Sequence, residues 1–403
     1  MNQDNLKTKI HYGEYSLTQW VKLILTKNII LPDYQRYFVW DRNAVKDFID
    51  SLKKGYYIPP VTIGSILIND IPCNIIIDGQ QRLTSLLLAY LNIFPHEQNN
   101  GIPLGYASED KNDDEVDSEY DSRDFLIDWT FRKLTSLGST KENILRKIGS
   151  EYNDLGDMAD GLDYDNTYLG FSYIVPQSSD NDAQNKYYSS VFRNINIQGK
   201  VLSSQESRKS LYYLQASYAK IFDPDFCKYI TIRTANKKDY GILDFVRYLS
   251  LLSEYDKNGK NANIVAKKYY GKMEGYYEKY IYDCVQCDNN KFKIIDNSYV
   301  DKIDKLSEII DKWRWKDMRY NTIIKMDLHF FGLIYNVVFL DKGDELLSKE
   351  NEFILKIDNC VDAIYMRYKK AKDNHMNSPS AFKYLRTRIK DSINLYSALL
   401  KNE

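Results

Sequence analysis

The residues best suited to chemistry lie in one short stretch, Asp78-Gly79-Gln80-Gln81-Arg82-Leu83-Thr84. A carboxylate, two carboxamides and a guanidinium within five positions are the groups that handle a phosphate and its counter-ion. Arg82 offers a fork of donors that matches phosphate oxygens. Asp78 can support Mg²⁺ or orient a water, and Gln81 can position a nucleophile, as polar side chains do in phosphoryl transfer. Gln80, Gly79 and Thr84 complete the candidate set. A plainer alternative stands beside this one: Asp78 acts only as a helix N-cap and Gln-Gln-Arg is a solvated first turn.

Such a site needs elements that hold it. Ile75-Ile76-Ile77 is continuous and β-branched, which suits a strand covered on both faces, whereas Leu83, Leu86, Leu87 and Tyr90 recur at helical spacing. Gly79 at the junction lets the backbone turn or approach a ligand closely. The helix that begins near Gln80 offers unpaired N–H groups and a positive dipole end, an anion site in prospect. Upstream, Ser16 opens a short helix, and Ile30 to Trp40 reads as extended because Pro32 forbids a helix interior. Gln35 and Arg36 in that stretch are a second phosphate or base donor, or else an exposed pair between packed rings. Asp41 caps a helix from Arg42 to Lys54 that Gly55 ends, Ile58-Pro59-Pro60 cannot be helical, and Val61 to Ile68 reads as a strand. Polar outliers thus gather at the ends of elements, where ligand groups of α/β layers collect.

Farther along, an acidic stretch at about 95–123 loses all periodicity and reads as a loop-like insertion. Helices are expected at 124–137 and 141–151. Around Phe192 to Leu211, Asn196 stands between apolar neighbours, and Ser203 with Glu206 forms a capping box. From about residue 226 the pattern is helical almost throughout, so an all-α domain is expected after an N-terminal domain of residues 1–225. Two of its stretches mix cations and rings, around Arg314 and Arg319 and around Lys383, Arg386 and Arg388. They either follow a nucleic-acid backbone or pack rings inward while cations reach outward. His329, in an apolar helix, reads as a satisfied core histidine.

Composition narrows the classes. With 403 residues, two domains are the natural expectation. A net charge of −1 excludes a globally basic chain, so any contact with DNA must come from a local patch. Five cysteines form no disulfide framework, the four histidines show no companion spacing for a metal, and no apolar run approaches membrane-spanning length. A soluble, cytoplasmic protein with reduced thiols and no membrane partner is the expectation.

Three motifs occur in order: Pro32-x-Tyr34-Gln35-Arg36-x-x-Val39-Trp40, then Asp78-Gly79-Gln80-Gln81-Arg82-Leu83-Thr84, then Phe192-x-x-Ile195-Asn196-x-x-Gly199-x-x-Leu202-Ser203-x-x-Glu206. Together they resemble the DGQQR family, the ParB/sulfiredoxin-like domain found at the N-terminus of GmrSD-type modification-dependent restriction enzymes and of related defence proteins. The resemblance implies an α+β fold with a small mixed sheet that binds an NTP, with Mg²⁺-dependent hydrolysis. It carries a role over to Asp78, Gln80, Gln81 and Arg82, to Gln35 and Arg36, and to Asn196. Many relatives continue into an HNH-type nuclease domain, and no such motif is present here. The expected function is therefore an NTP-binding and NTP-hydrolysing module of a restriction or anti-phage defence system, whose helical half contacts DNA or a separate nuclease or other subunit. The alternative is a non-catalytic DNA-binding sensor that uses the pocket for a nucleotide signal or a modified base.

Overall fold

The computed structural model describes residues 8–32, 38–68, 71–96, 130–176, 217–233, 239–269, 273–286, 291–370 and 381–401, with residues 187, 188, 191, 208, 211 and 376. Gln35, Arg36, Asn196, the capping box at Ser203 and most of the acidic stretch lie outside them. The described residues fall into two compact units, one up to residue 191 and one from residue 208. Their class is α+β, with a mixed sheet in the first unit and mainly helices in the second.

In the first unit β1 (Thr8–Ser16) leads into α1 (Leu17–Leu25), where the Ser16 hydroxyl accepts from the Gln19 amide at 3.3 Å. After the short β2 (Ile29–Ile30), α2 (Arg42–Lys53) starts under Asp41, whose carboxylate accepts from the Ala44 amide at 2.7 Å. Then come β3 (Val61–Ile68), β4 (Ile71–Asp78), α3 (Gln80–Leu91) and β5 (Ile93–Pro95). Helices α4 (Arg132–Leu137) and α5 (Lys141–Lys147) and strands β6 (Tyr152–Asp154) and β7 (Tyr168–Pro176) complete the unit. The five-stranded sheet has the order β1-β7-β3-β4-β2. Pairs β1/β7 and β3/β4 are antiparallel, and β3/β7 and β2/β4 are parallel.

Ile75, Ile76 and Ile77 are all buried, so the strand that carries Asp78 is covered on both faces, as its unbroken β-branched run requires. Ile76 joins the core that α1, α2 and α3 build on the sheet. Ile77, pointing the other way by strand alternation, lies beside Tyr188, whose ring rests on Gly64 and whose hydroxyl donates to the Ser65 carbonyl at 2.6 Å. At about 25 cal/mol per Å² of apolar surface, each such fully covered isoleucine contributes roughly 1.5–3 kcal/mol before entropy is counted.

The second unit is helical over Phe245–Lys257, Met273–Gln286, Val300–Lys312, Ile323–Ile334, Asn351–Lys370 and Phe382–Lys401. It also carries a three-stranded sheet, Arg319–Tyr320 parallel to Thr231–Arg233, which pairs antiparallel with Asp239–Ile242. These strands are of two to four residues, too short for alternation to register in the sequence. Its core is separate and rich in rings, and it surrounds an ionic group: Asp327, fully buried, accepts from Arg247 at 2.6 Å, from the Tyr248 hydroxyl at 2.8 Å and from Arg388 at 2.8 Å.

Candidate functional site

The strand, turn and helix expected around Asp78 are present: β4 ends at Asp78, Gly79 turns the chain, and α3 begins at Gln80. Gly79 adopts φ +94°, a left-handed conformation that costs other L-residues about 1–2 kcal/mol. A Cβ there would also stand 3.0 Å from a methyl of Val61. Glycine is therefore demanded by both backbone and space.

Asp78 does not cap α3, since the capping position is Gly79 and no side chain bonds there. Its carboxylate, 35% exposed, instead pairs with the Arg82 guanidinium one turn on, at 2.6 Å. The other arm of that guanidinium donates to the Pro59 carbonyl and, at 3.3 Å, to the Pro60 carbonyl. Arg82 is thus a three-way tie between the motif and the segment that enters β3. The pair stands at the start of α3 with the Arg82 side chain mostly buried and the Asp78 carboxylate partly exposed.

Gln80 and Gln81 are buried, which corrects the solvated-first-turn alternative. Gln81 turns inward, and its carbonyl oxygen accepts from the backbone amides of Val39 at 2.9 Å and Trp40 at 3.3 Å. The Gln81 carbonyl oxygen thereby holds the first motif against the second. The physical reason is that Val39 is itself buried, so its N–H must find an acceptor away from water. Thr84, expected to touch nucleotide, is fully buried one turn deeper, as is Ser85, and neither hydroxyl has a partner among the described residues. The first two turns of α3 are therefore polar and covered, while Leu83, Leu86, Leu87 and Leu88 fill the core.

Among the described residues no three His, Cys, Asp or Glu side chains cluster as metal ligands. Asp78 is a lone carboxylate, a donor set that suits an ion such as Mg²⁺ when phosphate oxygens and waters supply the remaining ligands.

The cations expected to face DNA separate in the structure. Arg388 is fully buried on Asp327 and cannot meet a nucleic acid, a correction whose cause is the need of a buried carboxylate for counter-charge. Arg386 is half-buried and donates to the Val265 carbonyl at 2.7 and 3.0 Å. Arg314, Arg319 and Lys383 are exposed, while Trp313 and Trp315, on either side of Arg314, are buried. The rings of that stretch pack inward rather than toward solvent. His329 is satisfied, with Lys325 carbonyl at 2.9 Å and the Asp358 carboxylate at 3.0 Å from its two ring nitrogens. No described helix is long and apolar enough to cross a membrane.

The motif at residues 78–84 is the feature most legible from sequence; the role of Pro59 and Pro60 as acceptors for Arg82 was not, because carbonyl oxygens carry no sequence signature. Among solved structures, the C2221 form of a Pnob8-like ParB-N domain matches with 11% identity, over 87% of this chain and 98% of that chain, at a TM-score of 0.24. A likeness at that level carries no inference about the site. No curated protein matches the chain. The family comparison is direct: residues 17–213 match the N-terminal domain of GmrSD restriction endonuclease. The DGQQR stretch stands at a strand-turn-helix junction inside that span, so residues 17–213 carry the likeness of this chain to the GmrSD restriction endonuclease N-terminal domain.

Proposed function

We propose that this chain is an NTP-binding module of a restriction-type defence system, and that the β4–α3 junction receives the phosphates of the nucleotide with Mg²⁺. The observation that carries the reading is the Asp78–Arg82 pair, which sets a carboxylate and a guanidinium side by side at the start of a twelve-residue helix. A metal-bound phosphate group brings the complementary charges, so each partner can exchange the other for the ligand: Asp78 toward the cation, Arg82 and the helix N-terminus toward the anion. Mg²⁺ bound there would neutralise phosphate charge as an electrophile.

The test is equilibrium binding of the four NTPs with and without magnesium, beside phosphate release. Binding is expected to need magnesium and to fall at least tenfold in Asp78→Asn and Arg82→Ala. Equal affinity in both variants and wild type would reject the site. A second reading, a sensor that binds without turnover, is favoured by the commitment of the Gln81 carbonyl oxygen to Val39 and Trp40. It predicts the same binding losses with no phosphate released by wild type. In either reading the second unit contacts DNA or a further subunit through cations such as Arg314, Arg319 and Lys383.

A further inference from the structure

Between α2 and β3 the chain runs through Gly55-Tyr56-Tyr57-Ile58-Pro59-Pro60, and its two tyrosines stand in solvent, Tyr56 64% and Tyr57 85% exposed. Tyr57 is the most exposed large apolar side chain among the described residues. Exposure of this kind usually accompanies a loose loop. Here the backbone is pinned at both ends.

At the α2 end, the Gly55 amide donates to the Leu52 carbonyl at 3.1 Å and the Tyr56 amide to the Ser51 carbonyl at 2.9 Å, with Gly55 at φ +65°. That is a helix-ending turn in which the residue at the Tyr56 position commonly packs back on the helix. Tyr56 leaves most of its ring in water instead. At the β3 end, Arg82 holds the carbonyls of Pro59 and Pro60, and two consecutive prolines restrict the backbone further. A ring presented on a backbone already fixed loses little further freedom when a ligand covers it. The Lys54 ammonium lies 5.8 Å from the Tyr56 ring centroid and adds positive charge at the same edge. Tyr57 is two residues from Pro59, so at most about 7 Å of extended chain separates its backbone from the segment that Arg82 holds.

We infer that Tyr57, with Tyr56 beside it, is a base-stacking platform: it takes a nucleobase whose phosphates lie toward Arg82. This rests on the nucleotide reading of the β4–α3 junction. Stacking tolerates any base, because every base has a π-face, so the platform selects for a base and not for which one.

The test titrates the full chain, with Mg²⁺, against each of the four NTPs and against inorganic tripolyphosphate, which has the phosphates and no base. Wild type is expected to bind NTPs more tightly than tripolyphosphate. Tyr57→Ala should cost NTP affinity about 5- to 150-fold, the range of one base on one ring, and leave tripolyphosphate unchanged. Tyr57→Phe, which keeps the ring, should bind as wild type does. If Arg82→Ala abolishes tripolyphosphate binding while Tyr57→Ala leaves NTP affinity intact, the platform is overturned and the phosphate site stands. If tripolyphosphate does not bind at all, the phosphate site fails, and a single-stranded oligothymidylate against its abasic counterpart decides the platform. A preference for the base-bearing strand that disappears in Tyr57→Ala supports it; equal affinity, or no binding, overturns it. A change confined to the oligomeric state of Tyr57→Ala would assign the rings to a protein contact and overturn it likewise.

Discussion

At the scale of single residues, the site is a set of conflicts settled by proximity. Arg82 has the donors for a phosphate, yet in the protein alone it serves Asp78 and two proline carbonyls. Gln81 has the carboxamide to position a nucleophile, yet its oxygen satisfies two backbone amides. Gly79→Ala is expected to destabilise the first unit by about 1–2 kcal/mol from backbone conformation alone, with crowding against Val61 added, as a lowered denaturation midpoint would register. Gln81→Leu strips the acceptor from the buried Val39 amide, and about 1–3 kcal/mol should be lost in the same denaturation experiment. A Gln81→Leu variant as stable as wild type would mean that Val39 finds another acceptor.

At the scale of elements, helix Ile323–Ile334 shows how a core helix is registered by charge. Asp327 sits on it, bonded to Arg247 of Phe245–Lys257 and Arg388 of Phe382–Lys401, so one carboxylate ties three helices. Burial pushes the Asp327 carboxyl up, but Arg247 and Arg388 outweigh it and hold the group below the usual carboxylate range. A group lowered in the folded state stabilises the fold fully above its unfolded value, near pH 4, and loses that contribution as pH falls further. Acid titration of the second unit should therefore show unfolding that begins below about pH 4. Asp327→Asn should cost about 3–5 kcal/mol at neutral pH, since it leaves two guanidiniums buried without a counter-ion, and should flatten the acid limb. An acid limb unchanged in Asp327→Asn would assign it to other carboxylates.

At the scale of the molecule, the two units have separate cores, and the cations of the second unit differ in burial: Arg388 is fully buried, Arg386 half-buried, and Arg314, Arg319 and Lys383 exposed. If the chain binds DNA, replacing exposed Arg314 and Lys383 should lower affinity and flatten its salt dependence while leaving the melting temperature in place. Arg388→Met should do the reverse, changing stability through Asp327 and affinity only as far as the fold is lost. Filter binding across a salt series, run beside thermal melts, separates the two. Loss of affinity without loss of stability in Arg388→Met would contradict its burial.

How much was legible in the sequence follows from the range over which each interaction acts. Local signals wrote themselves into neighbouring residues. The triple isoleucine announced a strand covered on both faces, Asp41 and Ser16 announced helix starts, Gly55 a helix end, and the run from Asp78 to Thr84 a strand, a turn and a helix. Each depends on contacts within a few positions, so composition and spacing suffice. What tertiary structure decided was whom each polar group serves. Arg82 meets Pro59 across 23 positions, Gln81 meets Val39 across 42, and Arg388 meets Asp327 across 61. A guanidinium looks the same in sequence whether it awaits a phosphate or neutralises a buried carboxylate; only the fold, by choosing which charges lose their water together, distinguishes the two.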